Sequence, residues 1–133
     1  MRDGMTIGKL ALAAGVNVET IRYYQRRGLL DEPHKPPGGH RRYPSSALRN
    51  INFIRRAQQL GFTLEEVKAL MGLSDPRHSR DVIAMAERKC AVLKSRVDQL
   101  QAMHDALCGM VDASKRKRGK GVLPLIRALW EEN

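Results

Sequence analysis

Residues 15–43 carry the pattern that decides the fold, and they read GVNVETIRYYQRRGLLDEPHKPPGGHRRY. The first half predicts a tight turn at Gly15 and then a short helix that Asn17 caps. The second half holds three prolines, which exclude a continuous helix, and a Gly38-Gly39 pair that permits a hairpin turn. We therefore expect a helix-turn-helix followed by a basic hairpin, or wing. Guanidinium and phenol groups on such surfaces suit phosphates and base edges in a duplex groove.

Apolar spacing predicts three further helices around this motif. A first helix ends at Gly15, and a third has Ser45 or Ser46 as its N-cap. A fourth opens at a capping box, with Thr63 as the cap and Glu66 three residues later. These helices give the motif a small core of its own.

A coiled-coil seam follows in residues 77–111, where apolar positions alternate spacings of four and three. A stripe this narrow must be covered, and the rest of the chain is too small to cover it. We therefore predict a homodimer, which also suits a palindromic site; an intramolecular helical bundle is the alternative. The predicted dimerisation residues are Ala86, Cys90, Leu93, Val97, Leu100, His104, Leu107 and Val111.

The predicted fold is mainly α, with three parts along the chain. Residues 1–76 form a winged helix-turn-helix domain, and residues 77–111 form a long dimerisation helix. Residues 112–133 form a basic, effector-type loop and then a short helix with Pro124 in its first turn.

Composition narrows the function. The chain has 24 Lys and Arg against 14 Asp and Glu, a net charge of +10, which favours a polyanionic partner. Two cysteines make no disulfide framework. No apolar run would span a membrane and no signal peptide is visible, so we expect a soluble, cytoplasmic protein without a membrane partner. Scattered histidines without a nucleophile elbow, phosphate loop or paired carboxylates indicate that it is not an enzyme.

The sequence resembles the MerR family of transcriptional regulators, and most closely its mercury-responsive members. The match covers nearly the whole chain and includes the long helix. Its motifs are TIG at 6–8, AAGVNVETIRYY at 13–24, GLL at 28–30, RRY at 41–43, LGFTLEE at 60–66 and PLI at 124–126.

The resemblance implies an antiparallel two-helix dimer bound to double-stranded promoter DNA. Regulators of this family act on promoters whose spacer is overlong, so that the two recognition elements are out of phase. The dimer bends and untwists the DNA and realigns these elements for RNA polymerase, which is control through DNA deformation. No resident cofactor is implied beyond the effector.

The resemblance and the helical spacing together predict the DNA contacts. They come from the recognition helix, from the wing and from a second wing-like element. Tyr24 is expected either to reach the duplex or to be buried. The predicted residues are Thr20, Arg22, Tyr23, Tyr24, Arg26, Arg41, Arg42, Tyr43, Arg55 and Arg56.

The effector site is where the chain departs from the family pattern. By resemblance, mercury sensors use one cysteine that opens the dimer helix and two from the partner's following loop. The matching positions here are Ser79, Ser114 and Leu123, and Asp112 stands where a further cysteine often occurs. Soft metals need thiolate ligands. We therefore expect no metal at the family positions, whether mercury, copper or zinc.

One hypothesis for the effector is a displaced site for a soft or borderline metal ion, or for a redox signal, at Cys90, His104 and Cys108. If Ser79 and Ser114 face each other, paired numbers across an antiparallel seam sum to about 193. Cys90 then faces Met103 or His104 of the other chain. The alternative is that Cys90 packs as a small hydrophobe and His104 points outward.

Two other hypotheses remain open. Lys115 or Lys117 near Asp112 could lock one DNA-bound state or answer an anionic ligand, unless this is only a solvated basic loop. The effector could also be organic or absent, although the short C-terminal region leaves no room for a separate drug-binding domain. The remaining rivals are an effector-independent architectural DNA-binding protein and a coregulator.

Overall fold

The computed structural model describes residues 4–116 and 123–131, which are helical without a named β-strand in those ranges. The mainly α fold is therefore confirmed. The chain divides into two compact units, Met1–Ala86 and Glu87–Asn133. The elements are α1 (Ile7–Ala14), α2 (Val18–Arg26), α3 (Ser45–Gln59), α4 (Leu64–Gly72), a 3₁₀ turn (Pro76–His78), α5 (Ser79–Arg116) and α6 (Pro124–Trp130).

Local capping defines the helix-turn-helix. The Thr6 hydroxyl caps α1, which ends at Gly15 with φ 70°, a left-handed conformation that glycine adopts without steric cost. The Asn17 carboxamide oxygen accepts a 2.8 Å hydrogen bond from the Thr20 amide and begins α2. A side-chain cap of this kind stabilises a helix by about 1 kcal/mol. The turn and the Asn17 cap predicted from sequence are confirmed.

The predicted N-terminus of α4 is confirmed, whereas that of α3 is wrong. Thr63 and Glu66 form the reciprocal capping box. On α3, Pro44 occupies the cap position, and no side chain caps the helix. Ser45 is already helical, and the fixed φ of the proline supplies the extended entry that a serine cap would otherwise define.

The predicted wing hairpin is also corrected. The turn is present, because the Gly39 amide donates to the Pro36 carbonyl at 3.1 Å and Gly38 has φ 69°. The two arms do not form a ladder; instead Tyr43 makes an isolated antiparallel bridge with Met5, at 3.0 and 2.8 Å. Three prolines in this segment lack the amide donor that a ladder requires. The wing therefore attaches to the chain start.

The first unit has one hydrophobic core, to which α1, α2, α3 and α4 all contribute. Full burial of each large apolar side chain stabilises the fold by roughly 1.5–3 kcal/mol. The side chains with no exposed surface are Leu10, Ile21, Ile51, Ile54 and Val67.

The second unit contains most of α5 and all of α6. Helix α5 runs to Arg116, five residues past Val111, so Lys115 and Arg116 are helical and not part of a loop. The Leu125 amide donates to the Ser114 hydroxyl at 3.0 Å and attaches the start of α6 to α5. Residues 117–122, which include Lys117 of the predicted basic loop, lie outside the described residues. No described helix is long and apolar enough to cross a membrane.

We predict that two leucines on α1 differ sharply in their contribution to stability. Leu10 has no exposed surface and Leu12 is 84% exposed. Leu10→Ala should lower the free energy of unfolding by about 2–5 kcal/mol because it leaves a cavity. Leu12→Ala, the matched control, should change it by less than about 0.5 kcal/mol. Urea unfolding measures both, and equal losses would contradict this core.

Candidate nucleic-acid interface

Helix α2 presents a basic and aromatic face to solvent. Ile21 and Tyr24 are buried on its inner side, whereas Arg22, Tyr23 and Arg26 lie on its exposed side. Arg22 pairs with Glu19 one turn earlier, at 3.2 Å, with both side chains more than half exposed. Ion pairs this exposed contribute little to stability, so Arg22 can exchange Glu19 for a phosphate or base at small cost.

Tyr23 is held by two arginines. The guanidinium carbons of Arg26 and Arg27 lie 5.9 and 5.7 Å from its ring centroid. Arg27 also donates to the Tyr23 hydroxyl at 2.8 Å and to Glu65 at 3.0 Å. The hydrogen bond to Glu65, followed by that to Tyr23, raises the pKa of Arg27. Arg27 thus links α2 to α4 and steadies the tyrosine ring.

A cleft of about 330 Å³ lies where α2, the wing and the start of α1 meet. The basic side chains of Arg22, Lys35 and Arg41 line it, together with His40. Arg41 donates to the Pro33 carbonyl at 3.1 Å, so its guanidinium is oriented by the wing. A concave basic surface of this kind concentrates positive potential for a polyanion.

Tyr43 joins the wing to the recognition helix. Only 2% of Tyr43 is exposed, and its hydroxyl accepts a 2.7 Å hydrogen bond from the Gln25 side chain. Its backbone makes the bridge to Met5. The expectation that Tyr43 grips DNA is therefore not retained, because its ring lies in the core and its hydroxyl is already bonded.

Tyr24 has a similar structural role, and burial is the outcome for this residue. It is 5% exposed, and its hydroxyl donates to Gln58 at 3.0 Å. Burial raises the pKa of Tyr24, and the charge of Arg55 opposes that shift in part. A buried neutral phenol packs the domain, so Tyr24 is withdrawn from the expected DNA contacts.

The other expected contacts lie in different surroundings. Arg55 on α3 is half-buried and donates to the Ala14 carbonyl at 2.7 Å, which closes the end of α1. Arg56 and Arg42 are exposed. The Thr20 hydroxyl donates to Asn17 at 2.9 Å and so belongs to the cap of α2. Arg55 and Thr20 thus position helices, whatever else they contact.

Sequence reasoning missed three residues of this surface: Gln25, Lys35 and His40. Lys35 and His40 flank the Gly-Gly turn, and that proximity could have identified them. Gln25 gave no such signal, because its partner Tyr43 lies 18 residues further along the chain.

The predicted dimerisation stripe is uncovered in the single chain. Val97 is 58% exposed, Leu100 is 62% exposed and Leu107 is 54% exposed. Large side chains aligned in this way on one helix form a contiguous apolar surface, which usually marks an interface. The stripe lies in the second unit, apart from Ala86.

The family effector positions do not fit a soft metal. The Ser79 hydroxyl donates to the Pro76 carbonyl at 3.0 Å, and the Ser114 hydroxyl accepts from the Leu125 amide. Leu123 is half exposed and has no ligand atom on its side chain. Both hydroxyls serve local helix geometry, and neither replaces a thiolate.

An exposed arginine-tyrosine helix beside a basic wing defines a helix-turn-helix DNA-binding regulator. The family models agree: "MerR HTH family regulatory protein" matches residues 5–73, and "MerR, DNA binding" matches residues 48–110. The chain belongs to the MerR family of transcriptional regulators.

Individual relatives support the same assignment. The chain is 42% identical to the mercuric resistance operon regulatory protein of Serratia marcescens over 130 residues, 98% of this chain and 90% of that protein. The lead(II) complex of PbrR691 from Ralstonia metallidurans CH34 has a TM-score of 0.79 at 28% identity, covering 94% and 98% of the two chains. MerR from Bacillus megaterium MB1 with mercury(II) has a TM-score of 0.74 at 30% identity, covering 96% and 100%. Such relatives are transcription regulators, which points to a non-enzyme.

We predict that the wing contributes electrostatic grip. Arg42→Ala should weaken binding to specific and random duplexes alike, and should lower the slope of log affinity against log salt by about 1. The control is Arg88→Ala, which removes one exposed positive charge from the outer face of α5. Fluorescence anisotropy at several salt concentrations measures the slopes. An unchanged slope for Arg42→Ala, or equal changes for both variants, would contradict a phosphate contact.

Proposed function

We propose that this MerR-family regulator binds an inverted repeat in a promoter as a homodimer and controls transcription by distorting the DNA between the half-sites. The observation that carries the proposal is the coexistence of two surfaces on one chain. One is the basic cleft between α2 and the wing, and the other is the exposed stripe on α5.

The recognition helix supplies the sequence-specific contacts in this proposal. Arg22 and Arg26 have the donor geometry for guanine edges, and Tyr23 offers a ring and hydroxyl to the groove wall. Arg41 and Arg42 contact the phosphate backbone from the wing, and Arg56 adds a contact from α3. Thr20 and Arg55 hold their helices in position for these contacts.

The α5 stripe supplies the symmetry. Two antiparallel copies of the helix would bury Leu93, Val97, Leu100 and Leu107 against one another, and burial of each side chain contributes up to roughly 1.5–3 kcal/mol. A two-fold dimer carries two recognition helices, and these match a palindromic operator.

Control through DNA shape follows from this symmetry. Both reading surfaces are fixed to one dimer, so a change at the dimer helix alters their separation and imposes a bend or untwist on the spacer. Bending a site of this size by 40–90° costs roughly 1–6 kcal/mol, which lies within the energy of a set of phosphate contacts. RNA polymerase then reads a promoter whose elements have been realigned.

The effector in this proposal is not held at the family's three-thiolate positions. The relatives compared above include complexes with mercury(II) and lead(II). Here the matching positions carry two hydroxyls and an alkyl group, so a soft metal would find no thiolate at Ser79, Ser114 or Leu123.

A pair of variants on α5 tests dimeric, site-specific binding. Val97 lies on the stripe, and Ser95 lies two residues away on the opposite, outward face of the heptad. Val97→Asp should break the dimer and reduce operator affinity by at least ten-fold, because two like charges would be buried near the dyad. Ser95→Asp should change neither property. Sedimentation and footprinting on the DNA flanking the reading frame measure both.

The wild type should protect one inverted repeat. Protection spread evenly along the fragment would favour an architectural protein. A wild-type monomer at micromolar concentration would overturn the proposal.

A further inference from the structure

We propose a binding site for a thiophilic divalent metal ion within the dimer seam, formed by Cys90 of one protomer with His104 and Cys108 of the other. It rests on the proposed homodimer and lies apart from the family's effector positions. The three residues belong to the second unit of the chain.

Two of these ligands are already spaced for a metal. His104 and Cys108 are one helical turn apart on α5, and the Cys108 Sγ lies 3.5 Å from the His104 Nε2. On a tetrahedral zinc ion, a thiolate at about 2.3 Å and an imidazole nitrogen at about 2.0–2.1 Å lie about 3.5 Å from each other. The observed separation is therefore that of two ligand atoms on one ion.

The histidine ring is oriented by a carboxylate. The Asp105 Oδ1 lies 3.2 Å from the His104 Nδ1, and it also accepts a 2.8 Å hydrogen bond from Gln101. When Nδ1–H donates to this carboxylate, the lone pair of Nε2 is directed to the side where Cys108 lies. Metal-binding histidines use this carboxylate arrangement, which fixes the tautomer and makes the ring a better ligand.

A single chain does not complete the site. Among the described residues of one chain, no group of three or more His, Cys, Asp or Glu side chains could hold a metal. Cys90 is 14 residues before His104 on the same straight helix, about 21 Å away along the axis. A third ligand must come from a second copy.

The antiparallel seam brings Cys90 to the partner's pair in either plausible register. If Val97 faces the partner's Leu100, paired numbers sum to about 197 and Cys90 faces residue 107, beside Cys108. If Ser79 faces the partner's Ser114, the sum is about 193 and Cys90 lies opposite residues 103 and 104. Both registers place the third thiol within one turn of the pair.

The donor set defines the ligand class. Two thiolates and one imidazole suit a borderline or soft divalent ion and not a hard one such as magnesium. Two-fold symmetry gives two sites per dimer. An ion bound there would tie the two dimer helices together, so it is chemically placed to report metal to both DNA-reading domains.

Cobalt(II) is the probe, because thiolate-to-cobalt charge transfer and d–d bands report its ligands. The full-length wild-type dimer should bind two cobalt ions with tetrahedral spectra, and zinc(II) should displace them. Cys90→Ser, Cys108→Ser and His104→Gln should each lower affinity at least ten-fold while the dimer persists. His78→Gln, on the 3₁₀ turn, is the control and should bind as the wild type does.

A mixed dimer tests whether the site spans two protomers. A Cys90→Ser chain and a Cys108→Ser chain, coexpressed with different tags, form a heterodimer that retains one complete site and lacks the other. It should bind one cobalt ion, half the wild-type number, although neither parent homodimer binds any. A site within one protomer would leave the heterodimer empty, and that result would overturn the proposal.

Sedimentation separates this failure from that of the proposed function. A wild-type monomer would overturn the dimer and the metal site together. A dimer that takes up no cobalt, or whose three variants bind as the wild type does, would overturn only the metal site.

Discussion

The hydrogen bond from Gln25 to Tyr43 is the contact on which the DNA-reading surface depends. The wing has no ladder of its own, and its prolines lack the donors to build one. It is instead held by one buried tyrosine whose ring enters the core, whose backbone bridges Met5 and whose hydroxyl bonds the recognition helix at 2.7 Å. Arg41 and Arg22 can face the same cleft only because this residue fixes the distance between their segments.

The same economy applies to the rest of the chain. The helix-turn-helix unit has a complete core, whereas α5 has an apolar stripe that nothing in the single chain covers. Family membership explains the first unit as a DNA reader, and the exposed stripe explains why a second copy is proposed. The serines at the family effector positions then acquire a different use, because Ser79 and Ser114 bond backbone groups at helix ends. The thiols of the chain lie elsewhere, beside the dimer stripe.

The features that sequence predicted correctly are those whose causes are local. Gly15, Asn17 and the Thr63–Glu66 box act within three residues, so their spacing reveals them. The burial of Tyr24 and Tyr43 depends on partners 34 and 18 residues away, and the bridge to Met5 spans still more of the chain. Such contacts leave no periodic signal. Resemblance assigned both tyrosines to DNA, and only the packed core shows that they are internal supports.

A double-mutant cycle on Gln25 and Tyr43 tests the central claim most directly. The quantity measured is operator affinity for the wild type, Gln25→Ala, Tyr43→Phe and the double variant. If the hydrogen bond positions the wing, each single variant should lose about 1 kcal/mol of binding, about five-fold, and the double variant should lose little more than either. Strictly additive losses, or no loss in the single variants, would contradict the account.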